Sequence, residues 1–250
     1  MFATWPLSQN DGVGATLALM NESQLKPGEL ADREAAELSD AAAVASRAWW
    51  RRVPQLLRDP VPVFKALRET DDLDVDARAE PITAIAILAG MAAVFLTPAW
   101  GRLLDDSAVD GLVVAVVTFI GGCFFGAAGV YLLGLAVWLG ARGAGSDPPF
   151  RLARQLVAFS ALPLALSLLV TAPVAVIWFG GDWFRAGGSD AGGARWVVVG
   201  LASVFVAWSL ALLATGLRTT LRLPWFGVAT ALGLAGIIVA GFAVVPSVIG

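Results

Sequence analysis

The sequence predicts an all-α membrane protein: five transmembrane helices preceded by short amphipathic cytoplasmic helices. Three observations predict it. The chain of 250 residues is 58% hydrophobic and 15% charged, with a mean hydropathy of +0.75, whereas soluble domains are about 45–50% apolar and about 25% charged. Five uncharged runs are each long enough to cross a hydrocarbon core about 30 Å thick, which takes roughly 20 apolar residues. The polar residues concentrate in the first 80 positions and in short later loops, so a polar head precedes one hydrophobic body.

The head divides in two. Residues 1–40 are acidic and poor in large apolar side chains, and Pro27-Gly28 interrupts them, so most of them are expected to be a disordered or loosely helical tail. The first twenty residues lack the basic and continuous apolar regions of a signal peptide, and either Met1 or Met20 can serve as initiator. Residues 41–80 are expected to form an interfacial segment. Ser39 or Asp40 can cap a helix over Ala41–Val53, with Trp49, Val53, Leu56 and Leu57 on one face. Pro54 should bend or break it. Asp59-Pro60 reads as a second N-cap with proline in the first turn, opening a short helix that presents Val63, Phe64 and Leu67. Trp49, Trp50 and Phe64, interleaved with Arg51, Arg52 and Lys65, describe a surface for lipid or a partner, its cations among anionic headgroups. The other reading of the same residues is a structural collar packed under the bundle. Asp71, Asp72, Asp74, Asp76 and Glu80 follow as an acidic, solvated connector. They miss the calcium-loop pattern, because Ala77 stands where a turn glycine is required.

The membrane domain occupies residues 81–250, with spans at about 81–100, 112–139, 156–179, 196–217 and 224–250. Alternation of polar and apolar positions is absent, so helices are expected. Basic residues cluster on one side. Arg51, Arg52, Arg58, Lys65, Arg68 and Arg78 precede the first span, Arg142, Arg151 and Arg154 follow the second, and Arg218 and Arg222 follow the fourth. Arg102, Arg185 and Arg195 stand on the other side. The N-terminus is therefore expected to be cytoplasmic and the C-terminus external. Trp100, Trp138, Trp178, Trp183, Trp196 and Trp225 fall at span ends, where an indole suits the headgroup level. Trp208 is mid-span. Arginine outnumbers lysine fifteen to two, a usage typical of GC-rich bacterial genomes, so the expected location is a bacterial inner (plasma) membrane.

Within the spans, Gly122, Gly126 and Gly129 set a small-residue face on the second helix, and Gly233, Gly236 and Gly241 do so less regularly on the fifth. Pro163 and Pro173 should kink the third, with Ser160, Ser167 and Thr171 able to satisfy freed backbone groups. No Asp, Glu, Lys, Arg or His lies inside a span, which disfavours coupled ion transport. The count of histidines is zero, which removes the commonest general base, and no paired carboxylates replace it. No catalytic residue, cofactor or metal site is expected, and the single Cys123 cannot form an internal disulfide.

From Trp49 to Phe242 the order of features resembles the Yip1 family of five-span membrane proteins. A tryptophan-bearing basic segment leads to Asp59-Pro60-Val61-Pro62-Val63-Phe64-Lys65-Ala66-Leu67, similar to the family's Pro-x-x-Phe stretch. A glycine-rich second span follows. Phe150 to Pro163, containing Phe159-Ser160-Ala161-Leu162-Pro163, is similar to the family's aromatic-Ser-x-x-Pro third span, and the fourth span ends in the family manner, Trp208 to Leu217. Pro224-Trp225-Phe226-Gly227 departs from the polar, lysine-containing stretch usual before the last span. The resemblance implies a non-enzymatic membrane adaptor or organising protein. Its cytoplasmic collar would bind a partner protein or anionic lipid, it would contact membrane lipids and associate with a protein partner or a second copy, and it would bind no nucleic acid. The alternative is a passive solute or lipid transporter or channel with a cavity beside the kinked third span. A polar cavity near the midplane would mark the conduit, and a filled core the adaptor.

Overall fold

The computed structural model describes residues 27–68, 72–96, 111–180, 183 and 195–249; expectations for residues 1–26 and for Trp100 lie outside them. The described residues form nine helices: α1 Pro27–Arg58, α2 Pro60–Ala66, α3 Asp72–Ala77, α4 Ala79–Leu96, α5 Gly111–Gly143, α6 Phe150–Ser160, α7 Leu162–Phe179, α8 Arg195–Thr220 and α9 Trp225–Ile249. Four helical stretches are long and apolar enough to cross a membrane: Val75–Leu96, Ala115–Gly143, Phe150–Phe179 and Trp196–Thr220. A shorter apolar helix covers Trp225–Gly241. The fold class read from the sequence is the one observed.

The head differs from expectation in its helices. Instead of starting at Ala41 and breaking at Pro54, α1 runs unbroken for 32 residues with Pro54 inside it. Proline removes one N–H and so frees the carbonyl four residues back. Here that carbonyl belongs to Trp50, and both Trp50 and Pro54 are exposed, so water can take the freed group. The chain turns instead at Asp59, which is the N-cap of α2 with proline in the first turn, as the sequence indicates, although its carboxylate makes no capping hydrogen bond. The expected linker between collar and first span contains the helix α3, with Val75 and Ala77 buried.

In the bundle, α5 packs against α4, α6 and α9, while α7 packs against α4 and α8. The contact between α4 and α5 is a backbone approach. A Cβ on Gly90 would sit 2.5 Å from the Gly126 nitrogen, one on Gly122 would sit 2.9 Å from the Met91 nitrogen, and one on Gly126 would sit 2.7 Å from the Ala86 carbonyl carbon. These distances are too short for any side chain, so glycine is what lets the two helices touch. Gly129 faces open space, as do Gly233, Gly236 and Gly241. The close approach to α9 is made elsewhere, at Gly140, where a Cβ would fall 2.6 Å from Ala231 Cα.

The third span is two helices. Ala161 ends α6 and begins α7, and Pro163 stands in the first turn of α7, where a missing N–H costs nothing. Pro173 lies inside α7. Ser160, Ser167 and Thr171 are buried and donate to the carbonyls of Leu156, Leu164 and Ser167 at 2.7, 2.6 and 2.7 Å. Since Ala161 cannot cap α7, Ser209 of α8 supplies the acceptor: the Leu164 N–H donates to its Oγ at 3.2 Å.

Two apolar clusters hold the chain. The larger joins Trp49, Leu56, Val63, Phe64 and Leu67 of the head to Val137, Leu156, Phe159, Leu213 and Leu217 of the bundle. The smaller, at the other end, contains Ala175, Phe179, Trp183 and Val198 with Phe95 and Leu96 against it. Trp183 is therefore a core residue, its indole N–H donating to the Phe95 carbonyl at 3.2 Å, rather than a headgroup anchor. Trp178, Trp196 and Trp225 are exposed, and so is the mid-span Trp208, which is not among the residues that line the three hollows described below.

Candidate functional site: the collar and its basic cleft

The collar consists of the C-terminal part of α1 with α2 and α3, seated against α4 and α8 and reaching α6 through Trp49. Two devices seat it. Gly216 of α8 leaves a hollow in which the Phe64 ring lies, 3.1 Å from where a Cβ would be, and Thr220 Oγ1 donates to the Phe64 carbonyl at 2.8 Å. On the other side, Trp49 packs on Phe159 with ring centroids 5.5 Å apart.

Arg78 is the centre of this packing, and the sequence offered it only as one more basic flank. It is 1% exposed. Its Nη1 donates to the Leu67 carbonyl at 3.1 Å and to Gln155 Oε1 at 3.4 Å, and its Nη2 donates to the Ala66 carbonyl at 3.2 Å. The last carbonyls of a helix lack intrahelical partners and carry the negative end of its dipole. Arg78 thus caps α2 from the far side of the acidic connector and ties it to α6. Two residues on, Glu80 accepts from Ser46 Oγ at 2.7 Å and from the Trp50 indole at 3.2 Å, which fixes α1 to the start of α4.

The six residues proposed from sequence as a lipid or partner surface are divided by this arrangement. Trp49 and Phe64 are fully buried in protein and cannot serve as lipid anchors, because the apolar face they belong to is spent on the bundle. Arg52 is partly buried with its guanidinium 4.4 Å from the Trp49 ring centroid. Trp50, Arg51 and Lys65 are exposed.

Lys65 leads to a feature that sequence order hides. With Arg68 just beyond α2, and Thr219 and Arg222 at the end of α8, it lines a surface cleft of about 460 Å³ in which, among the described residues, no acidic side chain takes part. Three cations from segments more than 150 positions apart meet because Phe64 docks on Gly216. Arg222 is held there at a backbone cost: its φ is +54°, a left-handed conformation that side chains other than glycine or asparagine rarely take. The Leu223 N–H closes that turn on the Leu217 carbonyl at 3.3 Å.

A tryptophan-bearing collar, a glycine-hinged α4–α5 pair and a third span broken before proline occur here in the order seen by the sequence reading. The family model described as the Yip1 domain matches residues 55–246. The chain belongs to the Yip1 family. No curated protein and no solved structure matches it. The Yip1 domain match begins after Trp49, Trp50, Arg51 and Arg52, so the segment that closes the collar over Phe159 and Arg78 lies just outside it. Among the residues inside the match are Phe64, Arg78, Gln155, Gly216 and Arg222, the parts that seat α2 and build the cleft.

Proposed function

We propose that this Yip1-family protein is a non-enzymatic membrane adaptor or organising protein that engages an anionic group, borne by a partner's acidic segment or by lipid headgroups, through the basic cleft of its collar. The cleft carries the reading. Lys65, Arg68 and Arg222 would repel one another in the absence of a counter-charge, and a juxtamembrane cation gains about 1 kcal/mol at an anionic surface. The left-handed Arg222 supports it further, since strain of this kind costs on the order of 1–3 kcal/mol and tends to be kept where a side chain is used.

The conduit reading is less well supported. The hollow beside the third span, about 250 Å³, is lined by alanine, glycine, valine, leucine, isoleucine and phenylalanine, among them Ala89, Gly126, Val157, Ala161 and Leu164. A solute path would need polar groups there.

The test exploits the strain. Arg222→Gly relaxes the backbone and removes a charge, so the purified full chain should keep or raise its thermal stability while its association with anionic vesicles or an acidic partner weakens. Lys65→Gln and Arg68→Gln should add to the loss. Lipid and protein partners separate in a pull-down from mild detergent in which bound lipids and proteins are both identified. Association with both that is indifferent to all three substitutions would refute the reading.

A further inference from the structure

A second hollow, on another face and independent of the cleft, lies between α3–α4, α5 and α6. Its volume is about 510 Å³, within the usual range of about 300–1,000 Å³ for sites that enclose a small ligand. Its lining is graded along its length. At one end stand Asp76, Tyr131, Arg151, Arg154 and Gln155; at the other, Ala86, Ile87, Cys123 and Ala127. Because Ala86 lies against Gly126 and Gly90 against Gly122, α4 and α5 run antiparallel. The eight steps from Ala79 to Ile87, and from Tyr131 back to Cys123, give walls about 12 Å long at 1.5 Å per residue.

The cationic end is built rather than incidental. Gly134 leaves the space through which the Arg154 stem passes, since a Cβ there would fall 2.7 Å from Arg154 Cγ. The Arg154 guanidinium lies 4.4 Å from the Tyr131 ring centroid and 5.2 Å from that of Phe150. Its Nε is buried and makes no hydrogen bond among the described residues. Tyr131, Ala127 and Thr83 are exposed on the flank of an apolar bundle, so the hollow opens toward acyl chains and its polar end sits where a span begins.

We propose that this groove binds one anionic phospholipid, its phosphate held by Arg151 and Arg154 and one acyl chain lying along Ile82, Ile87, Cys123 and Ala127. Among the described lining residues two guanidiniums face one carboxylate, that of Asp76, which favours an anionic headgroup over a zwitterionic one. A free anion matches only half of the lining, because nothing in it would fill the apolar end. Basic pockets between helices at the membrane surface bind anionic headgroups by the same chemistry.

The test uses the full chain in mild detergent, with phosphatidylglycerol or phosphatidylcholine added and bound lipid read by native mass spectrometry. Phosphatidylglycerol should be retained preferentially. The pair Arg151→Gln and Arg154→Gln should lower its retention by about tenfold or more, and Asp76→Asn should raise it. Ala127→Trp fills the apolar end without touching a charge, so it should lower retention while the thermal midpoint holds, which guards against misfolding of the arginine pair. Soluble glycerol phosphate should not displace the lipid. Equal retention of the two lipids, indifference to Ala127→Trp, weaker binding in Asp76→Asn, or displacement by glycerol phosphate each overturns the assignment. So does loss of the lipid on Lys65→Gln with Arg68→Gln, which would move the bound lipid to the collar cleft.

Discussion

Arg78 lies over the ring of Trp49, 4.7 Å from its guanidinium carbon to the ring centroid. With Arg52 over the same ring and Phe159 packed on it, Trp49 is the point where α1, the α3–α4 junction and α6 meet. A cation stacked on an indole away from water is worth about 2 kcal/mol, and here the same cation also caps α2.

Substitution of Arg78 should therefore separate charge from geometry. Arg78→Met leaves the Ala66 and Leu67 carbonyls without their donors, at about 1–3 kcal/mol for each group left unpaired. Arg78→Lys keeps the charge but loses the planar fork that reaches two carbonyls and Gln155 together. Thermal scanning of the solubilised chain should rank wild type above Lys, and Lys above Met. A lysine variant as stable as wild type would show that the charge alone matters.

The collar's exposed and buried positions should behave oppositely. Trp49→Ala and Phe64→Ala remove fully buried rings and should each cost about 3–5 kcal/mol. Arg51→Gln and Lys65→Gln should leave the thermal midpoint within a degree or two, because exposed charges contribute at most about 1 kcal/mol. If the aromatic variants melt like wild type, the collar is not packed on the bundle.

Glycine should matter by position, not by motif. Gly126→Ala places a methyl against the Ala86 carbonyl and should loosen the α4–α5 pair by about 1–2 kcal/mol, the usual scale of interhelical gains in lipid. Gly129→Ala, one helical turn on and facing open space, should be neutral or slightly stabilising, since alanine is about 1 kcal/mol better than glycine within a helix. Equal losses at both sites would contradict the geometry.

Topology is open to direct test. Reporter fusions after Leu67, Gly145 and Thr220 should read cytoplasmic, and fusions after Asp106, Gly188 and Gly250 external, as the excess of arginine on one set of flanks requires. A single reversed internal site would contradict the five-span arrangement, because every crossing inverts the next.

The sequence revealed what depends on local composition. Apolar runs show helices that cross a membrane, Asp59-Pro60 shows where α2 begins, and Gly122 and Gly126 show where α5 can be approached. What it concealed depends on pairing at long range. Nothing local distinguishes Arg78 from the basic residues before it; the carbonyls of Ala66 and Leu67, the distant Gln155 and the Trp49 ring make it a core residue. Gly129 shares a spacing with Gly126 but meets nothing within 4 Å, while Gly140 lies outside the Gly122, Gly126 and Gly129 face and meets Ala231. A paired tryptophan motif likewise cannot say which ring turns inward: Trp49 is fully buried and Trp50 is 41% exposed.

Among the described side chains, α1 is fastened in its C-terminal part, at Ser46, Trp49, Trp50 and Leu56, while those from residue 35 to residue 41 are all exposed and the Arg33–Glu37 pair is a surface contact at 3.0 Å. A helix needs a nucleus, and short unsupported helices are marginal in water. The fastened end supplies that nucleus, and the rest grows from it as an outrigger about 20–30 Å long at 1.5 Å per residue. Its length then becomes a reading of how firmly the collar is clamped: hydrogen exchange should run fastest near Gly28 and slow turn by turn toward Trp49. Anything that loosens the clamp shortens the outrigger from its free end, changing how far the protein reaches without altering the bundle.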